Sequence, residues 1–391
     1  MKKLTFTHTK YSAFLGMFTQ AIALNLLPLL FVSLQGTFSL RLDQISILIS
    51  LNFVIQIATD LLAVRFLDKA GYGRIFRLAH ILVIAGMCGI SVLPFHMEPF
   101  GALCIGYGIS AVGSALLEVT ASPIIEALPD QEKASNMGLL HSFFCWGHVV
   151  VVLGTTAYFA LFGRENWRLL PALWMVIPFG NLILNCFVPI RQLGEDAPTM
   201  PAGLLLKNKL FWLFLLIMFC GGASELAMSQ WASYYAETGL KISKTMGDLL
   251  GPCVFAVLMG TARALFGARG SGTSLRKWLL GSGLLCFASY LLAVFAPHPV
   301  LSVMGCGLSG FGVGLMWPGT LSLASGKLPT GGSAMFALLA FAGDMGCAAG
   351  PALNGLVTQH TGSMQNGLLA ASVFPLLMVA GLGLLNQKKK A

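Results

Sequence analysis

Twelve apolar runs, separated by short breaks rich in charged, glycine and proline positions, occupy most of the chain. They fall at residues 11–34, 44–66, 75–93, 101–125, 136–162, 167–187, 210–235, 246–266, 278–295, 300–323, 333–357 and 366–385. Runs of about twenty apolar residues match the helix length that crosses the hydrocarbon core of a bilayer. Lipid gives an unpaired backbone no hydrogen-bond partner, so each run is predicted to be a helix and not a lone strand. The opening MKKLTFTHTK puts basic residues ahead of an apolar run, as a signal peptide would. The run itself has the length of a full span and lacks a small-residue cleavage site, so it is expected to stay as the first helix.

Composition agrees with this pattern. Of 391 residues, 56% are hydrophobic and 10% charged, with a mean hydropathy of +0.79. Water-soluble domains carry roughly 25% charged residues, so a soluble enzyme is excluded and the bilayer is the expected surroundings. The net charge of +9 comes from twenty-four Lys and Arg against fifteen Asp and Glu. Counting breaks alternately, nineteen of the bases lie on one side, from Lys2, Lys3 and Lys10 through Arg65, Lys69, Arg74 and Arg77 to Lys388 to Lys390. The other side holds Arg41, Arg164, Arg168, Lys241 and Lys244. The positive-inside rule then puts both termini in the cytoplasm, in an inner membrane of bacterial type. This asymmetry explains the charge without nucleic acid. The nine cysteines stand singly in apolar runs, with no CxxC and no Cys/His grouping at metal spacing, so they are read as small buried hydrophobes and no metal is expected.

The longest polar break between spans, PIRQLGEDAPTMPAGLLLKNK, lies near mid-chain. It divides the chain into a six-helix bundle at 1–189, a linker at 190–209 and a second six-helix bundle at 210–391. GYGISAVGSALLE, from Gly106 to Glu118, also lies over GCGLSGFGVGLMW, from Gly305 to Trp317, at an offset of 199. Gly106, Gly108, Ser110, Gly113 and Leu116 recur as Gly305, Gly307, Ser309, Gly312 and Leu315. The fold expected is all-α: twelve transmembrane helices in two pseudo-symmetric bundles, parallel duplicates of the kind that rock about a central site. The repeated small residues are read as close-packing positions.

An ionisable group inside a bilayer needs a reason, since its insertion costs roughly 2.5–3.5 kcal/mol. Four acids lie within runs: Asp60, Glu118, Glu225 and Asp344. Asp60, and Arg263 on the eighth helix, sit toward helix ends and are read as gating residues. Glu118, Glu225 and Asp344 lie near the middle of helices four, seven and eleven, with no Lys or Arg at mid-span. They can carry a coupling proton or bind substrate hydroxyls, neutralise a cationic substrate, or act as neutral hydrogen-bonding groups between helices. The repeat pairs Glu118 with Trp317, Glu225 with Asn25, and Asp344 with Trp146. Acids and an amide beside indole faces suit a sugar, and they suit an amine through cation–π attraction equally well. Gln20, Trp231, His141 and His148 are further cavity candidates. Pro28, Pro123, Pro318 and Pro351 are expected to kink their helices. No phosphate-binding loop, dinucleotide fingerprint, HExxH or GxSxG occurs, which gives neither enzymatic catalysis nor direct ATP hydrolysis a motif.

The helix two to three turn, Asp68-Lys69-Ala70-Gly71-Tyr72-Gly73-Arg74, resembles the D-[RK]-x-G-R signature of the major facilitator superfamily, with Val64 and Tyr72 departing from it. The resemblance adds Asp68, Lys69 and Arg74 to the gating candidates. Within that superfamily, ALLEVTASPII, from Ala115 to Ile125, resembles the helix-four pattern of the fucose:proton symporter family, a glutamate followed by a proline five residues on. That likeness places the family's functional glutamate at Glu118. The segment from Glu225 to Trp231 and the sequence Met316-Trp317-Pro318 are also similar, whereas ALNLLP on helix one lacks the family's acid after the asparagine. The resemblance implies uptake of a sugar, and with the duplicated halves the expectation is alternating access with a proton, by a monomer that needs no cofactor. An exporter of organic cations is the alternative. The GPxxGG-like run typical of helix five in drug antiporters is absent there, and its nearest likeness is GDMGCAAGP on helix eleven.

Overall fold

The computed structural model describes residues 4–193, 199–232, 235–236, 241, 249–269 and 274–385. Lys2, Lys3, Lys244, Lys388 to Lys390 and positions 194–198 of the expected linker lie outside the described residues. Among the described residues the regular structure is helical throughout. Eleven helices are long and apolar enough to cross a membrane, and the sixth predicted run is a shorter apolar helix. In chain order they are α1 (Phe6–Phe38), α2 (Leu42–Ala70), α3 (Tyr72–Val92), α4 (Pro99–Glu126), α5 (Lys133–Phe162) and α6 (Leu169–Asn185). They continue as α7 (Lys209–Ser229), α8 (Val254–Arg269), α9 (Leu275–Phe295), α10 (Pro299–Lys327), α11 (Gly332–Thr361) and α12 (Met364–Leu384). This is an all-α, multi-pass membrane protein.

Packing sorts the described residues into two units. The first comprises Met1–Gln131, Phe143–Pro198 and Gly332–Ala337, and the second Glu132–Ser142, Thr199–Gly331 and Leu338–Ala391. The units differ from halves divided at a single linker in that the start of α5 belongs to the second and the start of α11 to the first.

Small residues determine how closely helices approach within each unit. In the first, a Cβ on Gly106 of α4 would meet the backbone of Gly89 and Ile90 on α3, and one on Gly113 would meet the Ala79 carbonyl. In the second, a Cβ on Gly305 of α10 would meet the backbone of Ser289 and Ala293 on α9, and one on Gly312 would meet that of Cys286. The sequence repeat is therefore a repeated backbone-to-backbone contact, α3 on α4 and α9 on α10. The glycines of GDMGCAAGP serve the same end: Gly346 and Gly350 of α11 lie against the carbonyls of Phe219 and Ala223 on α7.

Breaks follow from local chemistry. Gly71 alone separates α2 from α3, at a φ of 84°, a conformation that a side chain disfavours. Asp68 there accepts a hydrogen bond from the buried Tyr72 hydroxyl at 3.2 Å, while Lys69 and Arg74 are exposed. Helix α6 is short and interrupted at Met175. A buried polar network nonetheless ties it in. Ser12 Oγ of α1 donates to Asn181 Oδ1 at 2.9 Å, and Asn181 Nδ2 lies 2.8 Å from His80 Nε2 on α3. His80 Nδ1 reaches only the Phe76 carbonyl, at 2.7 Å. That nitrogen must hold the proton, which leaves Nε2 to accept from Asn181.

Gly106→Leu and Gly305→Leu are expected to lower the unfolding temperature of the purified protein in detergent, through overpacking worth about 1–3 kcal/mol. Gly180→Ala and Gly383→Ala, where a Cβ meets nothing within 4 Å, should be neutral or stabilising by up to about 1 kcal/mol. Equal losses at both kinds of site would contradict the packing assignment.

Candidate functional site

In the first unit the site is built around Glu118. It lies on α4 with 8% of its surface exposed, and its Oε2 accepts a hydrogen bond from Gln20 Nε2 of α1 at 2.6 Å. Gln56 Nε2 of α2 donates to the same oxygen. Three helices thus converge on one carboxyl oxygen, whose two lone pairs these donors occupy. Gln20 Oε1 is itself buried and accepts no hydrogen bond among the described residues. Gln56 was not among the residues singled out from sequence. Its signal was the stripe Asn52, Gln56 and Asp60, polar positions four apart in an apolar run, all buried and therefore on one inward face of α2.

Asn25 Nδ2 turns back to the Ala21 carbonyl at 2.8 Å, Trp146 is 37% exposed, and His148 is half-buried. Asp60 is fully buried. The pairs drawn from the repeat, Glu118 with Trp317, Glu225 with Asn25 and Asp344 with Trp146, each have one member in either unit.

The second unit corrects the expectation that the mid-span acids have no basic counterpart. Arg263 Nη2 on α8 lies 3.2 Å from Glu225 Oε2 on α7. The guanidinium also donates from Nε to the Gly314 carbonyl at 2.8 Å and from Nη1 to the His141 carbonyl at 3.2 Å. Arg263 stands toward a helix end in sequence, but its long side chain carries the charge well away from its Cα. The Gly314 carbonyl is available for a physical reason. Pro318, four residues on, has no N–H to donate to it and crowds it, and α10 is broken there into Pro299–Val313 and Met316–Lys327. The carbonyl freed by the predicted kink thus serves a side chain of the protein itself.

Asp344 on α11 is 5% exposed, and Trp317 of α10 is 8% exposed with its ring laid over Gly343, the residue before Asp344. Trp231, in the turn after α7, donates Nε1 to the Pro351 carbonyl at 3.2 Å, so its indole N–H is spent on α11. His141 is buried. No group of three or more His, Cys, Asp or Glu side chains suited to a metal occurs among the described residues.

These helices and their duplicated packing can be set against known proteins. The family model of the Major Facilitator Superfamily matches residues 13–351. The chain belongs to this superfamily. Its activity class is accordingly transport across a membrane. No curated protein matches the sequence. Among solved structures, the Escherichia coli fucose:proton symporter superposes with a TM-score of 0.82 at 16% identity, over 98% of this chain and 100% of that one. The proton:xylose symporter XylE, bound to 6-bromo-6-deoxy-D-glucose, gives 0.80 at 13% identity, over 97% and 95%. The human organic anion transporter MFSD10 gives 0.73 at 15% identity, over 96% and 99%. At these identities the likeness is one of fold.

Removing one partner of a buried ion pair costs about 3–5 kcal/mol, whereas replacing both by apolar groups is far milder. Arg263→Leu is therefore expected to destabilise the superfamily member strongly, and adding Glu225→Leu to recover part of the loss. Thermal unfolding of the four proteins in a double-mutant cycle measures this; strictly additive losses would show that the pair contributes nothing.

Proposed function

We propose that the chain is a secondary active transporter that takes up a small polar solute, a sugar, with a proton, by alternating access, and that Glu118 seats the proton. The observation that carries this reading is the carboxyl of Glu118 inside the bundle, tied to α1 by the Gln20 amide and to α2 by the Gln56 amide. Hydrogen bonds to a charged carboxylate are roughly twice as strong as neutral ones. Proton uptake at Glu118 weakens the ties to Gln20 and Gln56 together, and so links protonation to the hold of α4 on α1 and α2. The unspent Gln20 Oε1 offers an acceptor to a hydroxyl. Asp344 and Trp317, both buried in the second unit, supply the acid and the indole that suit a sugar's hydroxyl edge and C–H face. The fold likeness to two sugar:proton symporters supports the same class.

Export of organic cations is the competing reading. Pairing of Glu225 with Arg263 removes one of the three acids from the negative charge that a cation needs, which favours the neutral solute. On the sugar reading the protein works as a monomer in an inner membrane with both termini cytoplasmic.

In proteoliposomes with an imposed pH gradient, Glu118→Gln is expected to abolish proton-driven accumulation of a transported labelled sugar while keeping sugar exchange. Accumulation undiminished in that variant would remove Glu118 from the coupling. Resistance to cationic dyes, with no uptake from a panel of labelled sugars, would favour the exporter.

A further inference from the structure

The second unit holds a cavity whose lining includes none of its acids. Between α8, α9 and α10 runs a cavity of about 540 Å³, within the range of about 300–1,000 Å³ typical of small-molecule sites. Its composition is graded. At one end stand Ser274 and Lys277, where α9 begins. From there the walls are mainly apolar, formed by Phe266, Leu285, Phe311 and Leu315 among others, with Ser282 the one further hydroxyl. From Lys277 to Leu285 is eight residues, or about 12 Å along a helix, so the groove leads from a charged helix end toward mid-helix. Trp278, 38% exposed, stands beside Lys277 with its ring 6.0 Å from that of Phe266. The floor at Gly281 is open, since a Cβ there would meet nothing within 4 Å.

Charge identifies the occupant. Between Asp248 and Asp344 the sequence contains no acid, while it contains Arg263, Arg269, Arg276, Lys277 and Lys327. No carboxylate can therefore compete from α8, α9 or α10 for the Lys277 ammonium. Its neighbour Arg276 donates Nε to the Leu382 carbonyl of α12 at 2.8 Å and adds positive charge at the same end of α9. A ligand that suits the groove has a negative head and an apolar tail. We infer that this groove holds an anionic phospholipid of the bilayer, with its phosphate at Lys277 and one acyl chain laid along α9 past Gly281 to Leu285. Basic pockets between transmembrane helices are known to take such headgroups.

Trp278 reports on the site. The full-length protein is reconstituted in phosphatidylcholine vesicles carrying increasing amounts of brominated phosphatidylglycerol or brominated phosphatidylcholine. The Trp278 contribution to quenching is taken as the difference from Trp278→Phe. The expected result is about fivefold tighter quenching by the anionic lipid, the ratio that one basic residue near a membrane surface supplies. Lys277→Gln should bring that ratio close to one. Gly281→Leu, which fills the groove without touching the charge and favours the helix, should remove the preferred site while the protein stays folded. Equal quenching by the two lipids in the unaltered protein would overturn the inference. So would a preference that survives Lys277→Gln, or one that Gly281→Leu leaves intact, since the latter means surface attraction without a groove.

Discussion

Lipid cannot hydrogen-bond, and this one deficit of the solvent governs the polar side chains of the protein. Inward polar groups bond either to their own helix, as Asn25 and Thr120 do, or to a neighbouring one, and the partner decides what the group can do. Ser12, His80 and Asn181 satisfy one another across α1, α3 and α6, which holds a short, interrupted helix in its bundle. Glu118 collects amides from α1 and α2, and Arg263 collects a carboxylate and two carbonyls. In water these groups would be solvated singly. Here they act as ties between helices.

The same deficit gives proline a role beyond bending. A proline inside a helix frees the carbonyl four residues earlier, and a freed carbonyl in an apolar environment costs about 1–3 kcal/mol unless it is bonded. Pro318 leaves the Gly314 carbonyl to Arg263. The break in α10 and the buried guanidinium are thus two halves of one arrangement, and Arg263 is held by more than its acid. Loss of Glu225 alone leaves Arg263 still bonded to two carbonyls, whereas loss of Arg263 takes the guanidinium from both the Glu225 carboxylate and the proline-freed Gly314 carbonyl.

Much of this was readable from the sequence because it depended on spacing. Apolar run lengths gave the helices, and the offset of 199 gave the pairs Gly106 with Gly305 and Gly113 with Gly312, whose packing roles recur. Helix α6 came out short because the run at 167–187 holds Pro171 and Pro178, which an apolar count ignores. The site was harder to read, since it depends on side-chain reach and on meetings between helices far apart in sequence. Arg263 lies thirty-eight positions from Glu225, and no local pattern links them. Gln56 was legible in principle through its stripe with Asn52 and Asp60, but its partner Glu118 lies sixty-two positions away on another helix. Trp231, six residues after Glu225, donates its N–H to the Pro351 carbonyl, a partner 120 positions away that no local pattern reveals.

The two units treat their glutamates differently, and this difference bears on how a proton could be used. Glu118 accepts from the amides of Gln20 and Gln56, so on the proposed reading a proton arriving there changes the charge of the first unit and weakens two bonds at once. Glu225 faces a guanidinium that stays charged at any physiological pH. A proton arriving there would have to break an ion pair and leave Arg263 as an uncompensated cation inside the membrane, which costs far more than loosening two amides. Coupling through Glu118 therefore needs the smaller rearrangement. On the proposed reading, Glu225 serves to keep Arg263 neutralised and not to exchange a proton with it.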